Sequence, residues 1–253
     1  MNLLIVGYGG MGHEIERTAI ERGHTIVGRV DAQPGVGDAS EPTELLLSKS
    51  DVAIEFAAAA GVTENARRYA SAGVPAVVGT TGWDAERGEV KRIVEAAGAT
   101  YLWGSNFSIG AHLFFNLVEQ AAGMVARVPD YDLALLEMHH NRKKDSPSGT
   151  ALTAAQRVLR SNARKRRVVD SKLDRQIEAD ELHVASLRVG AFPGVHTLFI
   201  DSAADTIEIR HTARSRAGFA LGALLAAEWI RGKKGFIGVE AFIEELLSTR
   251  SQE

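Results

Sequence analysis

The 253 residues include no cysteine, which removes disulfides, thiolate nucleophiles and Cys-ligated zinc from consideration. Long apolar runs are missing too: none approaches the roughly 18 residues needed to span a bilayer. No basic segment with a cleavage site precedes the apolar run Leu3-Leu4-Ile5-Val6. The expectation is a cytoplasmic protein with no membrane partner. Neither sign of charge is in large excess, and a formal net charge of -3 offers no general attraction to nucleic acid. What remains is an ordinary globular composition, 45% hydrophobic and 24% charged, in a chain long enough for one large domain or two modest ones.

Short apolar runs alternate with helical stretches through the first third. Leu3–Val6, Thr25–Val30, Val52–Phe56, Ala76–Val78 and Thr100–Trp103 read as strands. Helical spacing appears at Met11, Ile15 and Ala19, then over 63–72 and 86–97. That alternation implies βαβ units and a parallel sheet. The pattern changes near Asn106. A helix over 110–124 leads to a strand at 132–138, and another helix follows Pro147. Strands at 182–189, 196–200 and 206–211 then succeed one another at hairpin-type spacing, favouring an antiparallel or mixed sheet. Helices over 218–230 and 239–247 end the chain. The expectation is an α/β fold in which a Rossmann-like parallel sheet is joined to a second α+β domain. The basic run Arg164-Lys165-Arg166-Arg167 reads as a solvated loop rather than an anion site.

Gly7-Tyr8-Gly9-Gly10-Met11-Gly12 carries the spacing G-x-G-x-x-G between a buried strand and a helix, the context that a dinucleotide loop requires. Gly7 permits the tight turn, Gly9 leaves room for a pyrophosphate, and Gly12 lets the helix pack on the strand. The helix start then offers its free N–H groups to phosphate. Asp31 ends the second strand, where an acid can bind ribose hydroxyls; its other reading is a turn residue ahead of Pro34. No cation follows it, which leans toward NADH, although the cofactor is left as NADH and/or NADPH.

A second constellation lies at 137–151, Glu-Met-His-His-Asn-Arg-Lys-Lys-Asp-Ser-Pro-Ser-Gly-Thr-Ala. Here a His pair, a Lys cluster and a helix start fall together. With Ser146 as N-cap and Pro147 at the first helical position, the N–H groups of Ser148, Gly149 and Thr150 face outward and form an anion site. A histidine supplies a proton donor near neutrality and a lysine a fixed charge. Adjacent histidines also occur as one core and one surface residue, or in a metal site, but neighbouring lysines repel a cation and no metal is expected.

This segment resembles the signature of the 4-hydroxy-tetrahydrodipicolinate reductase family, also called dihydrodipicolinate reductase, of lysine and diaminopimelate synthesis. The pattern E-x-H-H-x-x-K-x-D-x-P-S-G-T-A is met by Glu137, His139, His140, Lys143, Asp145 and Pro147 through Ala151. The resemblance extends to Gly79-Thr80-Thr81-Gly82 and Ser105-Asn106-Phe107-Ser108, similar to family segments that line the nicotinamide, and to Arg188–Gly190, Pro193–Thr197 and His211–Arg216. It implies His139 as proton donor, Lys143 as the residue that holds and polarises substrate, and His140, Ser148, Gly149, Thr150 and Arg216 at a small dicarboxylate. It also implies a nucleotide domain of 1–106 plus 216–253, a substrate and assembly domain of 107–215, and a homotetramer. The sequence departs from the family at Glu55-Phe56-Ala57, where Asp-Phe-Thr or Asp-Phe-Ser is usual. Another two-domain NAD(P)-dependent amino-acid dehydrogenase, or a nucleotide-binding relative without turnover, stands as the alternative.

Overall fold

The computed structural model describes residues 1–248, and the chain forms two compact units, one of Met1–Ile109 with the segment from Arg216 onward, the other of Gly110–Ser215. In chain order the elements are β1 (Asn2–Val6), α1 (Gly10–Glu21), β2 (Thr25–Val30), α2 (Glu44–Leu47), β3 (Val52–Glu55), α3 (Val62–Ala72), β4 (Ala76–Val78), α4 (Arg87–Ala96) and β5 (Thr100–Trp103). There follow α5 (Ile109–Val125), β6 (Asp132–His139), α6 (Gly149–Ser161), β7 (Arg167–Val169), β8 (Glu181–Arg188), β9 (Val195–Asp201) and β10 (Thr206–Thr212). The chain then returns to the first unit through α7 (Ala217–Trp229), β11 (Gly235–Gly238) and α8 (Val239–Leu247).

The first unit is a parallel sheet in the order β11-β5-β4-β3-β1-β2. The unbroken apolar run of β1 is explained by helices on both faces. Leu3 and Ile5 pack with Ile15 of α1, Ala223 of α7 and Phe242 of α8. Leu4 and Val6 pack with Ala66 of α3 and Val90 of α4. Each such buried Leu or Ile contributes about 1.5–3 kcal/mol. The alanines of α7 bring it close to its neighbours: a Cβ at Gly222 would lie 1.7 Å from the Phe107 carbonyl oxygen, so Gly222→Ala would force that contact apart. β2 and β3 flank β1, which opens a crevice beyond the C-terminal ends of β1 and β3, where open α/β sheets bind ligands.

The second unit is a mixed sheet in the order β10-β9-β6-β8-β7. β6 runs parallel to β8 and antiparallel to β9, while β9 and β10 form a hairpin. Along β6 the odd residues Leu133, Leu135, Glu137 and His139 are buried, Asp132 is exposed and the other even ones are half-buried, as a strand with one covered face requires. The cover is α5 and α6, whose Phe114, Phe115, Val118, Ala154 and Val158 pack on Leu133, Leu135 and Leu198.

Three expectations are corrected. β8 and β9 are not hairpin partners, because β6 lies between them. The run at 164–167 is solvated only in its second half: Arg166 and Arg167 are exposed, but Lys165 is 3% exposed, donating to the carbonyls of Ala179 and Glu181 at 3.1 and 2.7 Å and pairing with Asp132 at 2.6 Å. Arg164 donates to the carbonyls of Val125, Val128, Pro129 and Tyr131, which follow or end α5, so its charge meets the negative end of that helix. The helix after Pro147 is capped by Ser148 rather than Ser146. The Ser148 hydroxyl accepts from the Ala151 N–H at 3.2 Å, and α6 begins at Gly149.

Candidate active site

In the first unit, Gly7 takes φ +89°, and a Cβ there would meet the Phe56 carbonyl oxygen at 2.2 Å. A Cβ at Gly12 would meet the Gly7 carbonyl oxygen at 2.4 Å, so α1 packs against the turn itself. Gly9, the N-cap of α1, has nothing within 4 Å of where its Cβ would stand, and no side chain caps the helix. The first-turn N–H groups of Gly10, Met11 and Gly12 are therefore left for an anion. Asp31 accepts from the Tyr8 N–H at 2.8 Å and the Gln33 N–H at 2.9 Å, tying the end of β2 to the glycine loop. Tyr8 hydrogen-bonds Glu16, which also pairs with Arg29. Arg29 lies 5.7 Å from the Tyr8 ring centroid. A cavity of about 590 Å³ is lined by Gly7, Gly9, Asp31, Phe56, Ala57 and Arg68, among others. An uncovered glycine, an uncapped helix start and an acid at the strand end fit a dinucleotide.

The neighbouring strand ends are built tightly. A Cβ at Gly79 would stand 2.1 Å from the Phe56 ring, and Phe56 meets Phe107 edge-on at 5.9 Å. The Thr80 hydroxyl accepts from the Ala57 N–H at 2.9 Å, and its carbonyl accepts from Trp83 at 2.7 Å. Thr81 and Ser105 are exposed, and the Asn106 side chain accepts from the Ser108 N–H at 2.8 Å. Glu55 is fully buried. Burial pushes its carboxyl up to about 7 even though the Tyr69 hydroxyl donates to it at 2.7 Å. Arg216 belongs to this unit, at the N-terminus of α7, where its Nη1 lies 2.6 Å from where a Gly10 Cβ would be. Its charge therefore stands at the glycine loop.

In the second unit, His139 ends β6 with its Nδ1 in contact with Glu137 Oε2. Glu137 is fully buried, and its Oε1 accepts from the Ser148 N–H at 3.2 Å and from Arg188 at 2.7 Å. Burial works to raise this carboxyl, but the hydrogen bonds from Arg188 and His139 outweigh it and hold it below the ordinary value. Burial holds the His139 imidazole below its ordinary value despite Glu137, with Lys143 and Arg188 adding to the effect. Lys143 pairs with Asp145 at 2.8 Å, and Arg188 also donates to the Asp145 carbonyl at 2.6 Å. His140 follows with its Nδ1 buried and unpartnered. At the start of α6, Gly149 is exposed with open space at its Cβ position, and Thr150 is half-buried. Because Ser148 N–H is taken by Glu137, the donors left at the helix start are those of Gly149, which also supports the Asp145 carboxylate, and of Thr150.

Three residues without an expected role converge here: Glu137, Arg188 and His196. His196 stands opposite Glu137 on β9, 5.2 Å from His139 between ring centroids, with Nε2 3.2 Å from the Ser148 hydroxyl. Burial pushes His196 down to about 4, so it is neutral at pH 7. The signal for Glu137 is present in the sequence: it shares strand parity with His139, and a buried acid demands partners.

Comparison with known proteins identifies two family matches, dihydrodipicolinate reductase N-terminus over residues 1–107 and dihydrodipicolinate reductase C-terminus over residues 110–243. The 4-hydroxy-tetrahydrodipicolinate reductase of Christiangramia forsetii is 37% identical over 97% of this chain and 99% of its own. That of Methanoregula boonei is 36% identical over 89% and 90%. A dipicolinate-bound dihydrodipicolinate reductase from Paenisporosarcina sp. TG-14 superposes with a TM-score of 0.75 at 22% identity, covering 94% of this chain and 97% of that one.

Proposed function

The chain belongs to the dihydrodipicolinate reductase family, and on that premise we propose that it reduces 4-hydroxy-tetrahydrodipicolinate with its own His139 as proton donor and the start of α6 as carboxylate site. The observation that carries this assignment is the Glu137 carboxylate, shared by the His139 ring and the Ser148 N–H. One buried group thus ties a proton-bearing imidazole to a helix start that binds anions.

The first unit holds the nicotinamide dinucleotide through the N–H groups at Gly10–Gly12 and the space over Gly9. Asp31 serves the ribose, Arg216 faces the phosphates, and Gly79–Thr81 with Ser105–Phe107 border the nicotinamide. When bound in reduced form, the cofactor supplies a hydride. Placing Arg216 at the phosphates departs from the expectation that it meets substrate, and rests on its position at Gly10. The choice of NADH over NADPH rests on Asp31, whose charge repels a 2′-phosphate, and on Arg29, whose charge is engaged by Glu16 and Asp38.

In the second unit, the N–H groups of Gly149 and Thr150 and the Thr150 hydroxyl receive one carboxylate, and Lys143 brings a mobile charge. His140 lines the pocket. His139 gives a proton from Nε2 to the ring as negative charge develops there, and the surrounding cations stabilise that charge. The depressed basicity of His139 makes its imidazolium a stronger acid, and a bound dianion restores the proton that burial disfavours. The test is turnover with freshly prepared substrate and each cofactor in turn. Cofactor oxidation dependent on substrate supports the reading, and binding without turnover overturns it.

A further inference from the structure

We propose that Glu137 is the positioning residue of this reaction: it sets the tautomer of His139 and, through Ser148 and Arg188, holds the carboxylate-binding turn in register with it. The inference rests on His139 acting as proton donor. Glu137 and His139 lie two residues apart on the buried face of β6, so their side chains emerge side by side. Glu137 is an acceptor on both oxygens. Oε2 takes His139 Nδ1, and Oε1 takes the Ser148 N–H and Arg188 Nη2. A carboxylate can only accept, so the neutral imidazole must carry its proton on Nδ1, leaving Nε2 to gain and give the working proton.

The surroundings support that orientation. A Cβ at residue 194 would lie 3.1 Å from His139 Nε2, and Gly194 itself takes φ +143°, a conformation that disfavours any side chain. Nε2 thus faces a spot kept clear. The second oxygen of Glu137 reaches the anion site by two routes. Directly, it fixes the N–H of Ser148, the cap of α6. Through Arg188, it reaches the Asp145 carbonyl, in the loop whose Asp145 side chain pairs with Lys143. The titratable and charged groups facing His139 are Glu137, Lys143, Arg188 and His196, and Glu137 is the one acid among them.

Glu137→Gln keeps the size but reverses the hydrogen bond. If the amide oxygen stays with Arg188 and Ser148, the NH₂ faces Nδ1 and forces the proton to Nε2, the inactive tautomer. A triad histidine with the wrong tautomer loses about 10⁴ in kcat. Here kcat is expected to fall on the order of 10²–10⁴-fold, with a smaller change in KM and none in nicotinamide binding. The alkaline limb of the kcat/KM–pH profile, on which the proton donor is lost as pH rises, should also move to lower pH, because the Glu137 charge that supports the imidazolium is gone. Nitrogen-15 NMR of labelled histidine should assign His139 as the Nδ1–H form in the parent and not in the variant. A loss of kcat with an unmoved pH profile and tautomer would mean a merely structural role and overturn the proposal, as would full activity. Should the variant fail to fold, the parent spectrum decides alone, because an Nε2–H tautomer at His139 contradicts the proposal. His139→Gln separates the two readings. If it is impaired while Glu137→Gln is not, only the positioning role fails, and if it is fully active, the proton-donor assignment fails first.

Discussion

His139 faces opposing demands: burial disfavours its proton, while Glu137 favours it. With His139 as the proposed proton donor, the net depression predicts that the free enzyme loses kcat/KM as pH rises, on a limb below the ordinary histidine value of 6.5. A dianionic substrate should draw the kcat limb to higher pH. His139→Gln should keep the fold and cofactor binding while lowering kcat on the order of 10²–10⁴-fold, and steady-state rates across pH check both statements. Asp31 is bound to two backbone N–H groups, so Asp31→Ala would also loosen the glycine loop. Asp31→Asn retains an acceptor and removes the charge. It should weaken NADH and improve NADPH relative to it, and equal calorimetric shifts for both would count against Asp31 at the ribose. Glu55 tests the departure at β3. Its folded value of about 7 lies above the ordinary 4.5, so the stability tied to its neutral form is complete below 4.5 and lost as pH rises through 7. Ionising it in place costs roughly 3 kcal/mol. Glu55→Gln should therefore leave the thermal midpoint little changed near pH 4.5 and raise it at pH 8. The Tyr69 hydroxyl can donate to the amide oxygen as it does to the carboxyl.

At the scale of elements, α6 carries the discriminating experiment. In the proposed reading, the N–H groups of Gly149 and Thr150 and the Thr150 hydroxyl receive one carboxylate of a flat diacid. Thr150→Val keeps the backbone donor and removes the hydroxyl, which should cost roughly 1–3 kcal/mol in binding. Gly149→Val fills the open space above the helix start and should cost more. Competition by pyridine-2,6-dicarboxylate should weaken in both variants with NADH affinity unchanged, and pyridine-2-carboxylate should compete poorly with the parent. A mono-acid binding as well as the diacid would favour an amino-acid dehydrogenase instead. How much of this was legible varied by element. The β1–α1 turn could be read because Gly7 and Gly12 answer to local steric demands and Gly9 leaves open space at the helix start. The His-Lys segment was legible as a string, but the cap was misplaced by two residues: Ser146 and Ser148 look alike until the Ala151 N–H chooses between them. The order of the second sheet could not be read, since placing β6 between β8 and β9 is a pairing across distant segments. β11 was missed because four residues with glycine at each end carry no strand signal. Arg188 joined the site through its register opposite His139, which exists only once β8 pairs with β6.

At the scale of the whole molecule, the second unit's sheet bears on assembly. α5 and α6 cover one face; on the other, Leu187 opposite Met138 is 47% exposed, with Val189 beyond it at 42%, while Ile207, opposite Ile200 on the helix side, is 52% exposed at the β10 edge. Leu136 and Met138 on β6 are half-buried, on the parity opposite to Glu137 and His139. A stretch of apolar side chains on a sheet is an unusual surface for a monomer and a common one for a symmetric partner. β10 is an edge strand whose outward residues include Ile207, so a partner could meet it by edge or by face. Burying a further sheet face would also stiffen the strand that ends in His139, which links assembly to the placement of that residue. We expect a homotetramer, and light scattering at micromolar concentration should return four times the 27.2 kDa of the chain. Ile207→Lys adds a charge to the exposed strand without touching the Glu137 cluster. It should lower the assembled mass, reduce kcat through looser placement of His139, and leave nicotinamide titration unchanged. A parent protein that scatters as a monomer refutes the tetramer. A variant that stays assembled moves the interface away from β10.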